Sequence, residues 1–408
     1  DGCRFFNNRD SGLQIGRPDG TYNQIGLWPS YNLIKNCTSF NNYDNETFGE
    51  NADGFAAKLT VGYGNIFDGC IAYRNSDDGW DLYAKTDTGN IGSVSMYNCV
   101  SFENGFLMDT QANNNARFPT YNSSYDEAVT DSYLTRDGDG IGFKLGGSVM
   151  TGDVFMDNCL AFSNRLHGVG DNSNPGVLSV RNTTSYNNAA VIDNDPTSET
   201  FGKINVSGTT IEESSNIDLA RSETSYNNFR NILSVNNKSN SLLADKYRGS
   251  AEYSVFDMAK SKANRITTNI DASSYVTSAA GTSGASIDSS KVFEELPITW
   301  TDGVDESSNP IKTNVDYKID VLSDGFDAHS QFRNADGSIN MGKILQIKDY
   351  STEAGLFGDD HKIGADVSKS SWDEYAHYYN EDLYADAKDE YDAIILAARE
   401  SLYLNTDM

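Results

Sequence analysis

The sequence predicts an all-β fold, a right-handed parallel β-helix in which coils of 24 to 29 residues stack on one another. A six-residue phrase, Cys-x-[Ser/Ala/Phe]-[Phe/Tyr]-x-Asn, returns along the first 230 residues, and a glycine with alternating apolar residues follows five of its copies. The phrase occupies residues 3–8, 37–42, 70–75, 99–104 and 159–164, and it returns without cysteine at 183–188 and 223–228. Repetition of one short unit indicates a solenoid, whose units pack only against their neighbours.

The distance from the repeated asparagine to the following glycine locates insertions at one corner of the coil. That distance is four residues in three coils, twelve in the coil of Asn42 and thirty-six in the coil of Asn104, where Gly140 is taken as the matching glycine. We therefore expect loops of eight and thirty-two extra residues there. The first interval, of 34 residues, implies one more loop around residues 17–26.

The repeated segments are predicted to be strands because they are short, end in Gly or Asn and alternate in polarity. Parallel strands stacked at about 4.8 Å place each residue above its counterpart in the next coil. We expect the repeated asparagines to form a hydrogen-bonded ladder, and the cysteine and Phe/Tyr columns to fill the interior. A leucine-rich horseshoe is the competing solenoid, but its leucine spacing is absent.

Composition limits the classes of partner. The net charge of −28 argues against nucleic acid or an anionic membrane, and no apolar run is long enough to span a bilayer. An acidic substrate would therefore need a cation as mediator. All five cysteines occupy one repeat position, which predicts buried free thiols acting as small apolar residues and no disulfide framework.

The two ends of the chain differ from its centre. It opens inside a coil, with neither a signal peptide nor an N-terminal cap, so we expect its start to be missing. Residues 1–348 are predicted to form one β-helix domain. Residues 349–408 are predicted to be a mainly helical extension, because Ser371 precedes a run with helical spacing of Tyr, Ala and Leu. A monomer is expected.

Carboxylates from two successive coils are expected to converge beside one predicted sheet. Alignment by the glycines places Asp53, Asp78, Asp139 and His167 in one column, and alternation directs Asp81 outward. So many oxygen ligands suit Ca²⁺ better than Mg²⁺ or zinc. Taken alone, Asp-Asp-Gly is typical of a solvated acidic turn. The four predicted ligands are Asp53, Asp77, Asp78 and Asp81.

Lys144 is the candidate base. The alignment places it with Lys58 in one solvent-facing column, one coil above Asp81 and two residues further along, at a Cα separation of about 8 Å. A lone exposed lysine is normally a solubilising residue, and Lys58 is interpreted in that way. Lys144 differs because it follows the longest insertion and is bracketed by glycines, which would let a ligand approach the backbone closely.

Three motifs resemble polysaccharide lyase family nine, the calcium-dependent pectate lyases with a parallel β-helix. They are Asn51-Ala-Asp-Gly-Phe-Ala-Ala-Lys-Leu59, Asn75-Ser-Asp-Asp-Gly-Trp-Asp-Leu-Tyr83 and Gly142-Phe-Lys-Leu-Gly-Gly147. The resemblance covers roughly residues 1–230. It implies that the four aspartates bind calcium, that Lys144 is the Brønsted base and that the protein is secreted. It also implies that the substrate is an acidic plant cell-wall polysaccharide, homogalacturonan or rhamnogalacturonan.

The implied chemistry is β-elimination, in which Lys144 removes the C5 proton of a uronate and the C4 oxygen leaves. The family usually carries an asparagine-rich stretch where this chain has Gly168-Val-Gly-Asp-Asn-Ser-Asn-Pro-Gly176. Seven residues are predicted to contact the substrate: Arg74, Arg117, Arg136, Arg165, His167, Asn172 and Asn174.

Other functions remain open at this point. A rhamnogalacturonan lyase would use the same chemistry on another uronate chain. A polygalacturonase-like hydrolase would need two carboxylates and no lysine. A calcium-stabilised β-helix that binds polysaccharide or mediates adhesion would need no base at all.

Overall fold

The computed structural model describes residues 1–16, 25–44, 47, 49–105, 138–186 and 188, shorter stretches between 191 and 313, and residues 327–344, 364 and 365. Most of the long insertion, including Arg117 and Arg136, lies outside these residues. So do residues 17–24 of the loop expected around residues 17–26, and nearly all of the expected helical extension. The statements below concern the described residues.

Three parallel sheets run along the molecule; the first seven coils contribute one strand to each, and two further strands extend sheet 1. Sheet 1 contains, in order of pairing, β1 (Arg4–Phe6), β4 (Thr38–Phe40), β7 (Ile71–Tyr73), β10 (Val100–Phe102), β13 (Leu160–Phe162), β16 (Thr184–Tyr186), β21 (Leu233–Val235), β24 (Val255–Asp257) and β25 (Tyr275–Thr277). Sheet 2 contains β2 (Leu13–Ile15), β5 (Phe55–Ala57), β8 (Trp80–Asp81), β11 (Phe143–Lys144), β14 (His167–Gly170), β19 (Ser215–Asp218) and β22 (Asn240–Leu243).

Sheet 3 contains β3 (Leu33–Lys35), β6 (Asn65–Asp68), β9 (Val94–Tyr97), β12 (Val154–Asp157), β15 (Val177–Arg181), β20 (Tyr226–Arg230) and β23 (Gly249–Glu252). Two further sheets consist of one antiparallel strand pair each, β17 (Val191–Ile192) with β18 (Ile204–Asn205) and β26 (Trp300–Val304) with β27 (Pro310–Thr313). Short helices span Ile25–Leu27, Ala328–Gln331 and Met341–Ile344, and no described helix has the length and apolar character to cross a membrane. The predicted parallel β-helix is confirmed.

The predicted asparagine ladder is confirmed at the corner between sheets 1 and 2. Each side-chain amide donates to the side-chain oxygen one coil further along, at 2.8 to 3.1 Å. The ladder runs through Asn8, Asn42, Asn75, Asn104, Asn164, Asn188 and Asn216. The phrase at residues 223–228 is not a further copy, because Tyr226–Arg230 belongs to sheet 3.

The two columns expected in the interior face opposite ways. Cys37, Cys70, Cys99 and Cys159 are buried free thiols in the core, as predicted, whereas Cys3 is exposed. The Phe/Tyr position lies three residues after the cysteine, so period-2 alternation places it on the outer face of sheet 1. The expectation of an interior aromatic column is therefore wrong. The aromatic rings stack along the outside at centroid distances of 4.9 to 5.0 Å.

Residues 327–344 cover part of that outer aromatic column. The ring of Phe332 lies 5.7 Å from that of Phe102. The buried guanidinium of Arg333 donates to the carbonyls of Gly69 at 2.7 Å and Cys37 at 3.1 Å. The contact with Phe332 contributes to the burial of Phe102 on the outer face of sheet 1.

The register of sheet 2 differs from the expected one at the long insertion. Phe143 pairs with Trp80, and Lys144 pairs directly with Asp81. The backbone N–H of Gly79 donates to the carbonyl of Ile141, so Gly142 is the counterpart of Gly79 and the assignment to Gly140 is wrong by two residues. Both glycines leave the same residues facing inward, so alternation could not separate the two registers. The inserted loop is correspondingly two residues longer.

Loss of one ladder asparagine is expected to destabilise the coil stack. Asn104→Ala removes the acceptor of both the backbone and side-chain N–H groups of Asn75. Each buried unpaired donor costs about 1–3 kcal/mol, so the two together give an expected loss of about 2–6 kcal/mol, measured by urea unfolding followed with circular dichroism. Asn90→Ala is the control, because Asn90 is exposed and accepts one bond, from the N–H of Thr151. Equal losses in the two variants would contradict the ladder's role.

Candidate metal and catalytic site

The corner before sheet 2 brings together acidic side chains from two coils. Asp53 precedes β5, Asp78 precedes β8, and Asp81 lies in β8. The intervening glycines allow the coils to approach closely: a Cβ on Gly79 would lie 2.2 Å from Ser101 Oγ and 2.5 Å from the carbonyl oxygen of Gly142. The glycines therefore give each coil the same backbone turn at this corner. That turn orients the adjacent acidic side chains.

Asp53, Asp78 and Asp81 form the central carboxylate group. Each offers an oxygen within 4.8 Å of an oxygen on the other two, and all three side chains are buried. Asp53 accepts hydrogen bonds from Lys58, Ser11 and the backbone N–H of Asp78. The backbone N–H of Ile141 donates to Asp78 Oδ1. The predicted convergence of these three acids is present in the structure.

Asp77 adjoins the carboxylate group in a different way. Its two oxygens accept backbone N–H groups, Oδ2 from Asn51 at 2.8 Å and Oδ1 from Asp139 at 2.7 Å. Asp77 thereby ties the coil of Asp53 and the end of the long insertion to its own coil. Its role as a metal ligand stays a prediction.

Two lysines lie against the carboxylates. Lys144 Nζ is 2.9 Å from Asp78 Oδ2, 3.8 Å from Asp81 Oδ1 and 3.6 Å from Asp139 Oδ2, and it lies 5.9 Å from the centroid of the Tyr83 ring. Lys58 Nζ is 2.7 Å from Asp53 Oδ2 and 3.3 Å from Asp81 Oδ2.

The expectation that both lysines face open solvent is wrong. Lys144 is 9% exposed and Lys58 is 7% exposed, although both project from the outer side of sheet 2. The ion pairs fold the long side chains back over the sheet. The placement in one column and the 8 Å separation from Asp81 are wrong too, since Lys144 is the direct pairing partner of Asp81.

The buried charges shift one another's pKa. Burial raises the pKa of Asp53 to about 6, despite the opposing effect of Lys58. Burial and the neighbouring Asp53 raise the pKa of Asp77 to about 7, and burial with the charge of Asp77 raises the pKa of Asp78 well above its usual value. Burial alone would lower the pKa of Lys144, but the carboxylates around it, Asp78 first, hold it well above the usual value.

The carboxylate group fits a bound cation of the calcium type. Asp78 Oδ2 and Asp81 Oδ1 are buried, and their partner among the described residues is the ammonium of Lys144, at 2.9 Å and 3.8 Å. Buried carboxylate oxygens need further partners, and these two lie beside other carboxylate oxygens. If the four acids are ionised, their negative charge exceeds the positive charge of Lys58 and Lys144, and a divalent cation would offset the excess. Hard oxygen donors of this kind suit Ca²⁺.

Two of the predicted substrate-binding arginines lie within the described residues. Arg165 is near the carboxylate group: its Nη1 donates to the carbonyls of Gly138 at 2.7 Å and Asp139 at 3.2 Å. Arg74 is instead buried, with Nε 2.6 Å from Glu103 Oε2. Its position indicates a buried ion pair in the coil stack rather than a substrate contact.

His167 is a buried polar link between coils. Its Nδ1 accepts the backbone N–H of Ser215 at 3.1 Å, and its Nε2 lies 3.2 Å from Asp218 Oδ2. The side chain is 2% exposed, which leaves no surface for a substrate. The prediction of a direct contact at His167 is therefore not supported.

The predicted asparagines after β14 hold a turn. Asn174 is buried, donates to the carbonyls of Leu145 and Gly152, and accepts the N–H groups of Gly152 and Gly176, so its amide is fully used. The structure therefore assigns Asn174 to the turn and not to a substrate. Asn172 is half-buried and donates to the carbonyl of Gly146 at 2.9 Å.

Sequence reasoning missed two contributors to this site. Lys58 was assigned to the surface, although its position five residues after Asp53 lets its ammonium reach back to that carboxylate. Asp139 was placed in the column of Asp53 and Asp78, but its half-exposed carboxylate lies beside Lys144 instead. Correct pairing of Gly142 with Gly79 would have placed Lys144 beside Asp81.

Comparison with known proteins gives one family and several relatives. Residues 1–216 match the family described as "Pel9A-like, right handed beta helix region". The chain is 46% identical over 187 residues to pectate lyase L of Thermoclostridium stercorarium, covering 46% of this chain and 13% of the relative. It is 44% identical over 183 residues to pectate lyase L of Paenibacillus polymyxa (strain SC2), covering 44% and 35%.

A solved structure, described as a crystal structure of pectate lyase Pel9A, aligns with a TM-score of 0.45 at 22% identity. That alignment covers 86% of this chain and 57% of the other. The chain spans only part of the curated relatives it matches, 13% of the length of the first and 35% of the length of the second.

In chelator, the protein should lose stability as pH rises from about 4 to about 7. Folded Asp77 has a pKa of about 7, so the folded state binds this proton more tightly than the unfolded chain, and stability falls as pH rises through that window. Thermal melts of the wild type and Asp77→Asn test this, because the stability difference between them should shift against the wild type as pH rises. A difference independent of pH would contradict the raised pKa.

Proposed function

The chain belongs to the family of Pel9A-like right-handed β-helix proteins, and from this membership we propose that it is a pectate lyase. It would cleave α-1,4-linked galacturonan by β-elimination, with a calcium ion and a lysine base. The main support is the position of Lys144, whose ammonium lies against two buried carboxylate oxygens of the proposed metal site, Asp78 Oδ2 and Asp81 Oδ1. The relatives named pectate lyase L agree with this assignment.

Asp53, Asp78 and Asp81 are the residues proposed to hold calcium, with Asp77 supporting them from the side. When bound, calcium would attract the uronate carboxylate, acidify the proton on C5 and offset the negative charge beside Lys144. The buried position of the carboxylates favours this role, because burial excludes water that would otherwise compete for the site.

Lys144 is proposed to remove the C5 proton. The electron pair of the C5–H bond becomes the C4–C5 double bond while the bond from C4 to the glycosidic oxygen breaks, and the leaving oxygen takes up a proton. Asp81 and Asp78 fix the direction of the lysine side chain. Arg165 and Asn172 remain proposed substrate contacts, because Arg165 reaches Asp139 and Asn172 follows β14, the strand paired with β11.

The substrate is proposed to be an acidic plant cell-wall polysaccharide, and the place of action is proposed to be outside the cell. Homogalacturonan and rhamnogalacturonan both offer uronates, so both are tested with calcium and with chelator. An unsaturated product absorbing in the ultraviolet identifies a lyase. A hydrolase would release reducing ends without that absorbance, and a binding protein would retain the polysaccharide intact.

Lys144→Ala is expected to lower the turnover number on polygalacturonate by at least about 10²-fold, because the proton acceptor is lost. Calcium binding, measured by calorimetry, should persist because the carboxylates remain. Lys85→Ala is the matched control, since Lys85 lies in the coil of Asp81 and outside the site. Turnover within about threefold of wild type in Lys144→Ala would exclude this lysine as the base.

Activity is expected to rise toward alkaline pH. A base must be neutral, and the surrounding carboxylates hold the pKa of Lys144 above its usual value, so the reactive form increases as pH rises. The dependence of kcat/KM on pH at saturating calcium tests this. A flat profile from about pH 5 to about pH 10 would contradict a lysine base.

A further inference from the structure

A second ammonium lies inside the proposed metal site. Lys58 leaves β5 and turns back, so that its Nζ contacts Asp53 Oδ2 at 2.7 Å and Asp81 Oδ2 at 3.3 Å. Its side chain is 9% exposed, and both partners are almost completely buried. Lys58 therefore bridges the two coils that supply the carboxylates.

Burial of the Lys58 ammonium costs free energy unless its charge neutralises nearby carboxylates. A buried ammonium loses hydration, and the loss is offset only when its partners are equally buried and correctly placed. Besides Lys58, Asp53 accepts a hydrogen bond from Ser11. Asp81 Oδ2 faces Lys58 alone among the described residues. Without Lys58, the three central acids would face only Lys144 as counter-charge.

Resting on the calcium site proposed above, we propose that Lys58 is a resident counter-cation that weakens calcium binding and stabilises the metal-free site. Its ammonium keeps Asp53 and Asp81 in place when no metal is bound. The same positive charge repels any cation that these carboxylates hold. Calcium remains exchangeable as a consequence, and the coils do not separate when it leaves.

The expected size of the effect follows from charge and distance. A cation held by Asp53 and Asp81 lies within about 6 Å of the ammonium, given oxygen–calcium distances of about 2.4 Å. Repulsion between single and double charges at about 6 Å equals about tenfold in affinity even at the dielectric constant of water. Removal of the charge should thus tighten binding by about tenfold or more.

Three variants separate charge from packing. Lys58→Met removes the charge and keeps the length, Lys58→Arg keeps the charge, and Lys85→Met makes the same charge change in the coil of Asp81, away from the carboxylates. Calcium affinity is measured by calorimetry on chelator-stripped protein, and stability by thermal melts in chelator. A competition titration with a calcium-binding dye on calcium-loaded protein gives the affinity if a stripped variant unfolds.

Lys58→Met should bind calcium at least about tenfold more tightly and melt at a lower temperature in chelator, while Lys58→Arg and Lys85→Met keep near wild-type affinity. Unchanged or weaker binding in Lys58→Met would overturn the proposal. Loss of turnover at full calcium occupancy would also overturn it, by making Lys58 part of the catalytic machinery. A wild type that binds no calcium would refute the metal site itself.

Discussion

The vertical register between coils is the constraint on which the site depends. The asparagine ladder fixes one corner of each coil, and the paired strands β5, β8 and β11 fix the adjacent sheet. Because residues one coil apart lie about 4.8 Å from each other, side chains far apart in sequence become neighbours. Asp53, Asp81 and Lys144 come from three successive coils and meet only because no coil slips.

This register also explains how so many charges can be buried together. Four aspartates share a small buried volume, and burial together with the neighbouring carboxylates raises the pKa of three of them, Asp53, Asp77 and Asp78. Lys58 and Lys144 come from the coils on either side of the coil of Asp81, and their ammonium groups offset part of the negative charge of the carboxylates. The remaining negative charge, with two buried oxygens that face only the ammonium of Lys144 among the described residues, leaves the metal-free site incompletely neutralised. A divalent cation would complete it.

The repeat phrase was sufficient to predict the coil stack, the ladder and the buried cysteines, because each depends on one residue type returning at one position. The register of Lys144 could not be read in the same way. Gly140 and Gly142 both satisfy the alternation of inward side chains, and only the backbone hydrogen bonds of sheet 2 separate them. That two-residue difference changes Lys144 from a distant neighbour of Asp81 into its direct partner.

Lys58 and the aromatic column show a second limit of the sequence. An outward lysine has the same pattern whether it reaches solvent or bends back onto Asp53, since long side chains choose their partners in three dimensions. Phe332 packs against Phe102 of the outer aromatic stack, although the two residues are 230 positions apart in the sequence. The local sequence pattern does not predict contacts between residues so far apart.

A crystal structure with calcium and an oligogalacturonate bound would test the central claim most directly. The account predicts an ion within about 2.3–2.6 Å of oxygens from Asp78 and Asp81, with Lys144 Nζ facing C5 of the uronate beside it. An ion bound elsewhere on the coil stack, or a uronate whose C5 lies beyond the reach of Lys144, would contradict it.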